Sequence, residues 1–170
     1  IPRDGERPVL SPDPFSGLSI GLSNGRPRSL GRIALASPDP LQAPRIAMRA
    51  FDHPEDLAEM LAAVKWLRRI AATEPFASLV AEELRPGPEV QGDNALIVDL
   101  RRRSGTVFHP SGTCRMGPDP ATSVVGADLR VHGVPGLRIA DASVFPNLIT
   151  GNTNAPAILV GWLAADRMLT

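Results

Sequence analysis

The chain has 170 residues, of which 18 are Lys or Arg and 18 are Asp or Glu, so its formal net charge is zero at neutral pH. This balance argues against a nucleic-acid or anionic-membrane binder, because the affinity of those proteins rests on excess positive charge. The single cysteine, Cys114, excludes an internal disulfide framework and a multi-cysteine metal site.

The hydropathy pattern predicts no membrane-spanning segment. No apolar run approaches the roughly 20 residues that a helix needs to cross a bilayer. The stretch Ile1–Ser16 is too charged and too rich in proline for a signal peptide. A single cysteine also fits a reducing compartment, so we expect a soluble, cytoplasmic protein.

Short apolar runs bounded by turn residues characterise the beginning of the chain. Leu18–Leu22 alternates apolar with small or polar residues, which is typical of a half-buried strand. Ile33–Ala36 and Arg45–Met48 predict two further strands, because proline-containing turns bound them. We therefore expect a three-stranded antiparallel meander.

Two helices are predicted next. Asp52 is a candidate N-cap with Glu55 as its capping-box partner, and apolar residues then recur at helical spacing up to Ala71. A short helix within Phe76–Glu83 is an open possibility. The second helix is expected to begin at one of two cap candidates and to end near Arg103; these candidates are Asp93 and Asn94.

The C-terminal part alternates predicted strands with a final helix. Leu129–Val131 and Leu137–Ala140 resemble strands separated by a Gly-rich turn. Ala155–Leu169 is apolar almost all round, and a helix of that kind is buried on most sides. We expect it to need cover that this chain does not evidently supply.

His109 is the best candidate for chemistry, because imidazole can accept or donate a proton near neutral pH. Pro110 restricts the backbone after it, and Gly112 permits a close approach or a positive φ. On the residues alone, a lone loop histidine is more often structural. A nucleophilic pair of His109 with Cys114 is also possible, although no third orienting group is evident. His132 is expected to be a surface residue at a strand end.

The stretch Gly151–Pro156 carries two asparagines directly before the final helix. Asn152 and Asn154 could simply cap this helix or form a turn. Alternatively, the helix N-terminus and the amides could bind an electron-rich ligand. Asp141 follows a predicted strand, where a carboxylate can meet a ligand or cap a helix. Spacing does not choose between these alternatives.

Four segments together closely resemble the C-terminal part of the glucose–methanol–choline (GMC) oxidoreductases. The resemblance extends from about residue 29 to the end, and the order of the four pieces is highly specific. The segments are Ser29–Pro40, His109–Gly117, Asp128–Ser143 and Gly151–Pro156.

This resemblance implies an α+β fold in two parts. Residues 1–135 would form most of a substrate-binding domain, an antiparallel sheet with flanking helices. Residues 136–170 would supply a strand–helix segment that completes an FAD-binding α/β domain. The G-x-G-x-x-G loop that holds the ADP half of FAD in this family is absent. We therefore expect the C-terminal portion of a longer enzyme, whose partner is the missing N-terminal FAD-binding portion.

The resemblance also implies a reaction. Members of the family are FAD-dependent and mostly oxidise small-molecule alcohols, converting a CH–OH group to a carbonyl. His109 would remove the hydroxyl proton or orient the resulting alkoxide, while hydride passes from the substrate carbon to flavin N5. Asn152 matches a second His or Asn of the family; its amide can hydrogen-bond the same oxygen but cannot ionise, so proton transfer is expected of His109.

The contacts implied by the resemblance fall into two sets. Val107 and Phe108 match positions near the substrate pocket. The residues expected to contact FAD lie at a strand end and around the start of the last helix; they are Asp141, Ala142, Asn152, Thr153, Asn154 and Pro156.

Two other functions stay open on the sequence. One branch of the family is a hydroxynitrile lyase, which needs no net redox change. The isolated chain could also be inert and act only as a structural or binding module, because half of the cofactor site is absent.

Overall fold

The computed structural model of the protein describes residues 14–169 and has an α+β architecture. A two-stranded sheet precedes two helices, and an irregular region then leads to a third helix. Two short 3-10 turns lie at Ala77–Leu79 and Ala142–Val144. The elements are β1 (Arg32–Ala34), β2 (Arg45–Ala47), α1 (Pro54–Ala71), α2 (Gly92–Arg103) and α3 (Asn154–Leu169). No helix in this described range is long and apolar enough to cross a membrane.

The sheet is smaller than the predicted meander. β1 and β2 pair antiparallel, with Ile33 opposite Ile46. The prediction of a strand at Leu18–Leu22, before β1, is wrong: these residues are irregular, and Leu18 is 65% exposed. Alternation of apolar and polar residues indicates one buried face, but a strand also needs a backbone partner, which sequence alternation does not supply.

The N-cap of helix α1 lies one residue later than predicted. His53 is the N-cap, and its Nδ1 accepts a hydrogen bond from the Glu55 N–H at 3.3 Å. Asp52 instead pairs with Arg49 at 2.8 Å. Pro54 occupies the first helical position, for which its fixed φ is suited, so the residue before it becomes the cap.

The other predicted elements were partly correct. Helix α2 ends at Arg103 as expected but begins at Gly92, so the two cap candidates Asp93 and Asn94 lie inside it. The possible helix within Phe76–Glu83 is reduced to a single 3-10 turn. α1 packs against α2, and the buried apolar side chains of this pair are Met60, Leu96 and Leu100.

A separate core lies beneath α3. Its buried members come from the irregular region, the 3-10 turn and the helix, and they are Val125, Leu129, Val144, Phe145 and Ala164. The predicted strands Leu129–Val131 and Leu137–Ala140 pair with each other through an isolated antiparallel bridge between Arg130 and Arg138, and Val131 forms a second isolated bridge with Val125. Leu129 has a φ of 67°, and the glycines of the intervening turn also have positive φ, which interrupts extended pairing.

Helix α3 exposes much of its apolar surface in the described part of the chain. The exposed side chains include Ile158, Leu159, Trp162 and Leu163. Only Ala164 of this helix is fully buried.

Candidate functional site

The segment that carries His109 is attached to the 3-10 turn Ala142–Val144. Backbone N–H groups of alternate residues donate to consecutive carbonyl oxygens of the turn. The pairs are Gly112 to Ala142 at 3.2 Å, Cys114 to Ser143 at 2.9 Å and Met116 to Val144 at 2.8 Å. Since Val144 is fully buried in the core beneath α3, these bonds fix the segment relative to that helix.

Two residues beside His109 have left-handed backbone conformations. Gly112 has a φ of 78°, and a Cβ placed on it would lie 3.3 Å from the carbonyl oxygen of Phe145. Phe108 has a φ of 62°, which is uncommon for a residue with a side chain, and its ring is 83% exposed. Its N–H donates to the Thr106 hydroxyl at 2.9 Å. The backbone therefore turns sharply on both sides of the histidine.

The imidazole of His109 meets the residue that precedes α3. Nδ1 of His109 lies 3.0 Å from the hydroxyl oxygen of Thr153, which is 44 positions later in the chain. Thr153 is buried, with 8% of its surface exposed, and His109 is half-buried. This contact joins the two sequence segments that carry the candidate site residues.

The start of α3 presents hydrogen-bond donors toward solvent. Asn152 and Asn154 are both exposed, and Asn154 is the first helical residue. The first N–H groups of any helix lack intrahelical acceptors, and the helix dipole makes this end positive. Pro156 is half-buried at the third helical position. This donor set suits a ligand edge that carries carbonyl oxygens or gains negative charge.

Asp141 caps the neighbouring 3-10 turn. Its Oδ1 accepts the backbone N–H of Ser143 at 2.7 Å. Hydrogen bonds from the hydroxyl and the N–H of Ser143 lower the pKa of Asp141 below its usual value, against a smaller opposing effect of burial. The carboxylate is exposed and ionised at neutral pH. Ala142 is half-buried beside it, and its carbonyl oxygen accepts from Gly112.

The remaining candidates are less constrained. Val107 and Phe108 are 62% and 83% exposed, respectively, at the surface beside His109. Cys114 is half-buried, and its backbone N–H donates to the carbonyl oxygen of Ser143. The imidazole Nδ1 of His109 instead forms a hydrogen bond with the hydroxyl group of Thr153. The structure therefore favours a His–Thr contact over the Cys–His pair that the sequence left open.

Sequence reasoning missed the role of His132. Its Nε2 lies 3.1 Å from the carbonyl oxygen of Gly117 and 3.2 Å from the hydroxyl oxygen of Ser123. His132 is half-buried rather than a surface residue at a strand end. Its contact with Gly117 holds the last residue of the segment His109–Gly117. The signal was weak, because an isolated histidine near glycines has no characteristic spacing.

Comparisons with known proteins identify the family. The family model described as GMC oxidoreductase matches residues 27–161. The chain is 42% identical over 150 residues to an alcohol dehydrogenase [acceptor] of Pseudomonas putida, covering 88% of this chain and 27% of that protein. It is 41% identical over 143 residues to an oxygen-dependent choline dehydrogenase of Rhizobium rhizogenes, covering 84% of this chain and 26% of that protein.

Solved structures give the same relationship. A fungal aryl-alcohol oxidase superposes with a TM-score of 0.75 at 36% identity, covering 85% of this chain and 24% of that chain. An FAD-dependent oxidoreductase from Chaetomium thermophilum superposes with a TM-score of 0.79 at 28% identity, covering 84% of this chain and 25% of that chain. The chain thus spans about a quarter of the length of these relatives. It belongs to the GMC oxidoreductase family and matches the C-terminal domain of that family.

Proposed function

We propose that the chain is the C-terminal catalytic region of an FAD-dependent oxidoreductase that oxidises an alcohol CH–OH group to a carbonyl. The observation that supports this function most directly is the 3.0 Å contact of His109 with Thr153. It places a titratable imidazole beside the asparagine-rich start of α3. Alcohol is the proposed substrate class, because the Pseudomonas putida relative is an alcohol dehydrogenase and the fungal structure is an aryl-alcohol oxidase.

In this proposal His109 takes the proton of the substrate hydroxyl. Imidazole is suited to this step because it exchanges protons near neutral pH. The exposed amide of Asn152 would donate a hydrogen bond to the same oxygen as negative charge develops there. Phe108, whose ring is 83% exposed, and Val107 would border the substrate and exclude water from it.

The chemistry of the donor set at α3 fits FAD. Bound FAD would accept the hydride that the substrate carbon loses. Asn154 and the N-terminal turn of α3, which includes Pro156, would face the electron-rich edge of the flavin and stabilise negative charge there. Asn152 and Thr153 would lie next to the flavin ring. Asp141 and Ala142 would contact the ribityl–phosphate portion of FAD.

The chain would divide between two domains of the complete enzyme. Residues 1–135 would form most of the substrate-binding domain, and residues 136–170 would complete the FAD-binding domain. The exposed apolar side chains of α3, among them Ile158 and Trp162, would pack against the N-terminal FAD-binding portion. Exposing contiguous apolar surface of this kind to water is unfavourable, which supports a partner for this helix. The isolated chain would be inactive.

The test uses the complete flavoprotein that contains this chain. The absorbance of the flavin is followed under anaerobic conditions after addition of primary alcohols, including choline and benzyl alcohol. We expect at least one alcohol to bleach the flavin, and His109→Ala to retain FAD but to slow bleaching about 100-fold or more, since general-base catalysis contributes on that order.

His53→Asn provides a matched control. His53 caps α1 through its Nδ1, and Asn keeps a side-chain acceptor at that position. This variant should bleach at the wild-type rate. Full activity of His109→Ala would disprove the assigned role of His109, and a flavin that no alcohol reduces would disprove the oxidoreductase assignment.

A further inference from the structure

We propose that Thr153 is a positioning residue that fixes the tautomer of His109, with Nδ1–H donating to the Thr153 hydroxyl and Nε2 left free to take the substrate proton. The inference rests on the proposed role of His109 and extends it to a side chain that touches neither the reacting carbon nor the transferred proton. It gives Thr153 a task beyond its expected place among the residues that contact FAD.

The first step of the argument concerns access to the ring. Nδ1 of His109 lies 3.0 Å from Oγ1 of Thr153, and only 8% of the surface of Thr153 is exposed to solvent. An imidazole has two nitrogens, and the one that faces a buried hydroxyl cannot also reach a substrate. A substrate can therefore exchange a proton only with Nε2.

The second step concerns the direction of the hydrogen bond. If the Thr153 hydroxyl donated to Nδ1, the neutral ring would carry its proton on Nε2 and could not accept another from an alcohol there. If Nδ1–H donates to Thr153, Nε2 holds a lone pair and can act as a base. This second arrangement also persists after proton uptake, because Nδ1–H is present in both the neutral and the charged ring.

The third step explains why the hydroxyl oxygen can accept this bond. Thr153 precedes the first residue of α3, where a threonine commonly caps the helix by accepting the N–H of the second or the third helical residue. The third is Pro156, which has no N–H, so the capping bond to that position cannot form. A hydroxyl oxygen has two lone pairs, and this missing bond leaves acceptor capacity on it for His109.

The fourth step concerns rigidity. The carbonyl oxygen of Thr153 accepts the N–H of Ala157 at 3.0 Å, so its backbone is already part of the first helical turn. On the other side, the segment of His109 is bonded to the 3-10 turn through Gly112 and Cys114. Both partners are therefore attached to the core beneath α3, and a hydroxyl held in this way can define one ring orientation.

Two substitutions test the inference in the complete flavoprotein. Thr153→Val has nearly the same shape but no hydroxyl, and Thr153→Ser keeps the hydroxyl. With the alcohol that bleaches the wild-type flavin, Thr153→Val should reduce the maximal bleaching rate about 10- to 100-fold, because misplacing a reacting group costs that order. The alcohol concentration for half-maximal rate and the FAD content should stay within about twofold of wild type, because binding is not the step affected. Thr153→Ser should restore most of the rate.

Thr150→Val is the matched control, since Thr150 is exposed and lies directly before the stretch Gly151–Pro156. Its bleaching rate should equal that of the wild type. A Thr153→Val enzyme as fast as wild type would overturn the inference, while slow bleaching by His109→Ala would leave the proposed function intact. If His109→Ala is itself fully active, the proposed function is the part that fails.

A second measurement determines the tautomer in the wild-type protein itself. Nitrogen-15 NMR of the histidine-labelled wild-type flavoprotein distinguishes a protonated Nδ1 from a protonated Nε2, with His109 assigned by the signal that His109→Gln removes. We expect the neutral ring of His109 to carry its proton on Nδ1. A neutral ring protonated on Nε2 would overturn the inference.

Discussion

The buried carboxylate of Asp56 binds Ser29 through two hydrogen bonds, one from the backbone N–H at 2.8 Å and one from the hydroxyl. Its second oxygen accepts the N–H of Arg28 at 2.8 Å. The Ser29 hydroxyl oxygen in turn accepts the N–H of His53, the N-cap of α1, at 2.9 Å. Asp56 is only 2% exposed, so this cluster fixes the chain before β1 to the start of α1.

Replacing Asp56 should destabilise the protein substantially. Asp56→Ala leaves the N–H groups of Arg28 and Ser29 without their charged acceptor, and the expected loss is about 3 kcal/mol in the free energy of unfolding. The measurement is chemical denaturation followed by circular dichroism. Asp52→Asn is the control, because Asp52 is half-exposed in a surface ion pair, whose loss should cost less than about 1 kcal/mol. Equal losses in the two variants would contradict the prediction.

The same cluster should make stability depend on acid pH. Burial opposes ionisation of Asp56, but hydrogen bonds from Arg28 and Ser29 outweigh it and lower the pKa below its usual value. A carboxyl whose pKa is lower in the folded state contributes stability above its unfolded pKa of about 3.9, and this contribution disappears as pH falls through the folded pKa.

Denaturation midpoints measured from pH 6 down to pH 2 should therefore fall for the wild type. The change in denaturation midpoint per pH unit should be smaller for Asp56→Asn, because the asparagine side chain cannot ionise. Identical slopes for the two proteins would contradict this assignment.

Arg68 should not be replaceable by lysine. Its guanidinium donates to both carboxylate oxygens of Glu83, to the Val90 carbonyl at 2.9 Å and to the Gly87 carbonyl at 3.1 Å. An ammonium group cannot span these acceptors, because it is compact and lacks the planar fork. Arg68→Lys should cost about 1–3 kcal/mol, measured by thermal or urea unfolding. Arg69→Lys on the exposed side of the same helix should be nearly neutral.

Gly112 should be sensitive to a single added methyl group. An alanine there must adopt a φ of 78° and place its Cβ 3.3 Å from the Phe145 carbonyl oxygen. The left-handed conformation alone costs about 1–2 kcal/mol, and the strain would act on the segment that carries His109. We expect Gly112→Ala to lower the unfolding temperature and, in the complete flavoprotein, to slow flavin bleaching.

Gly105→Ala is the comparison for this effect. Its added Cβ has no neighbour within 4 Å, and its φ is not in the left-handed region. The unfolding temperature should stay the same or rise slightly, because alanine restricts the unfolded chain. A Gly112→Ala protein as stable as Gly105→Ala would contradict the proposed strain.

The helices were predictable because their signals are local. Apolar residues at helical spacing, proline at a helix start and polar residues after a helix end all act within a few positions. This locality explains why α1, the end of α2 and α3 were expected close to their observed bounds. The strands were less predictable: Leu18–Leu22 and Leu129–Val131 have suitable composition, but pairing depends on partners and on positive φ values elsewhere.

By itself, the sequence determined the family resemblance and the identity of the candidate residues, because His109 and Asn152 each lie in a continuous motif that can be read from neighbouring letters. Only the tertiary structure decided that His109 meets Thr153 rather than Cys114. That contact spans 44 positions and depends on the 3-10 turn and the core beneath α3. Since packing of distant segments sets such distances, no local spacing could have specified which side chain orients the imidazole.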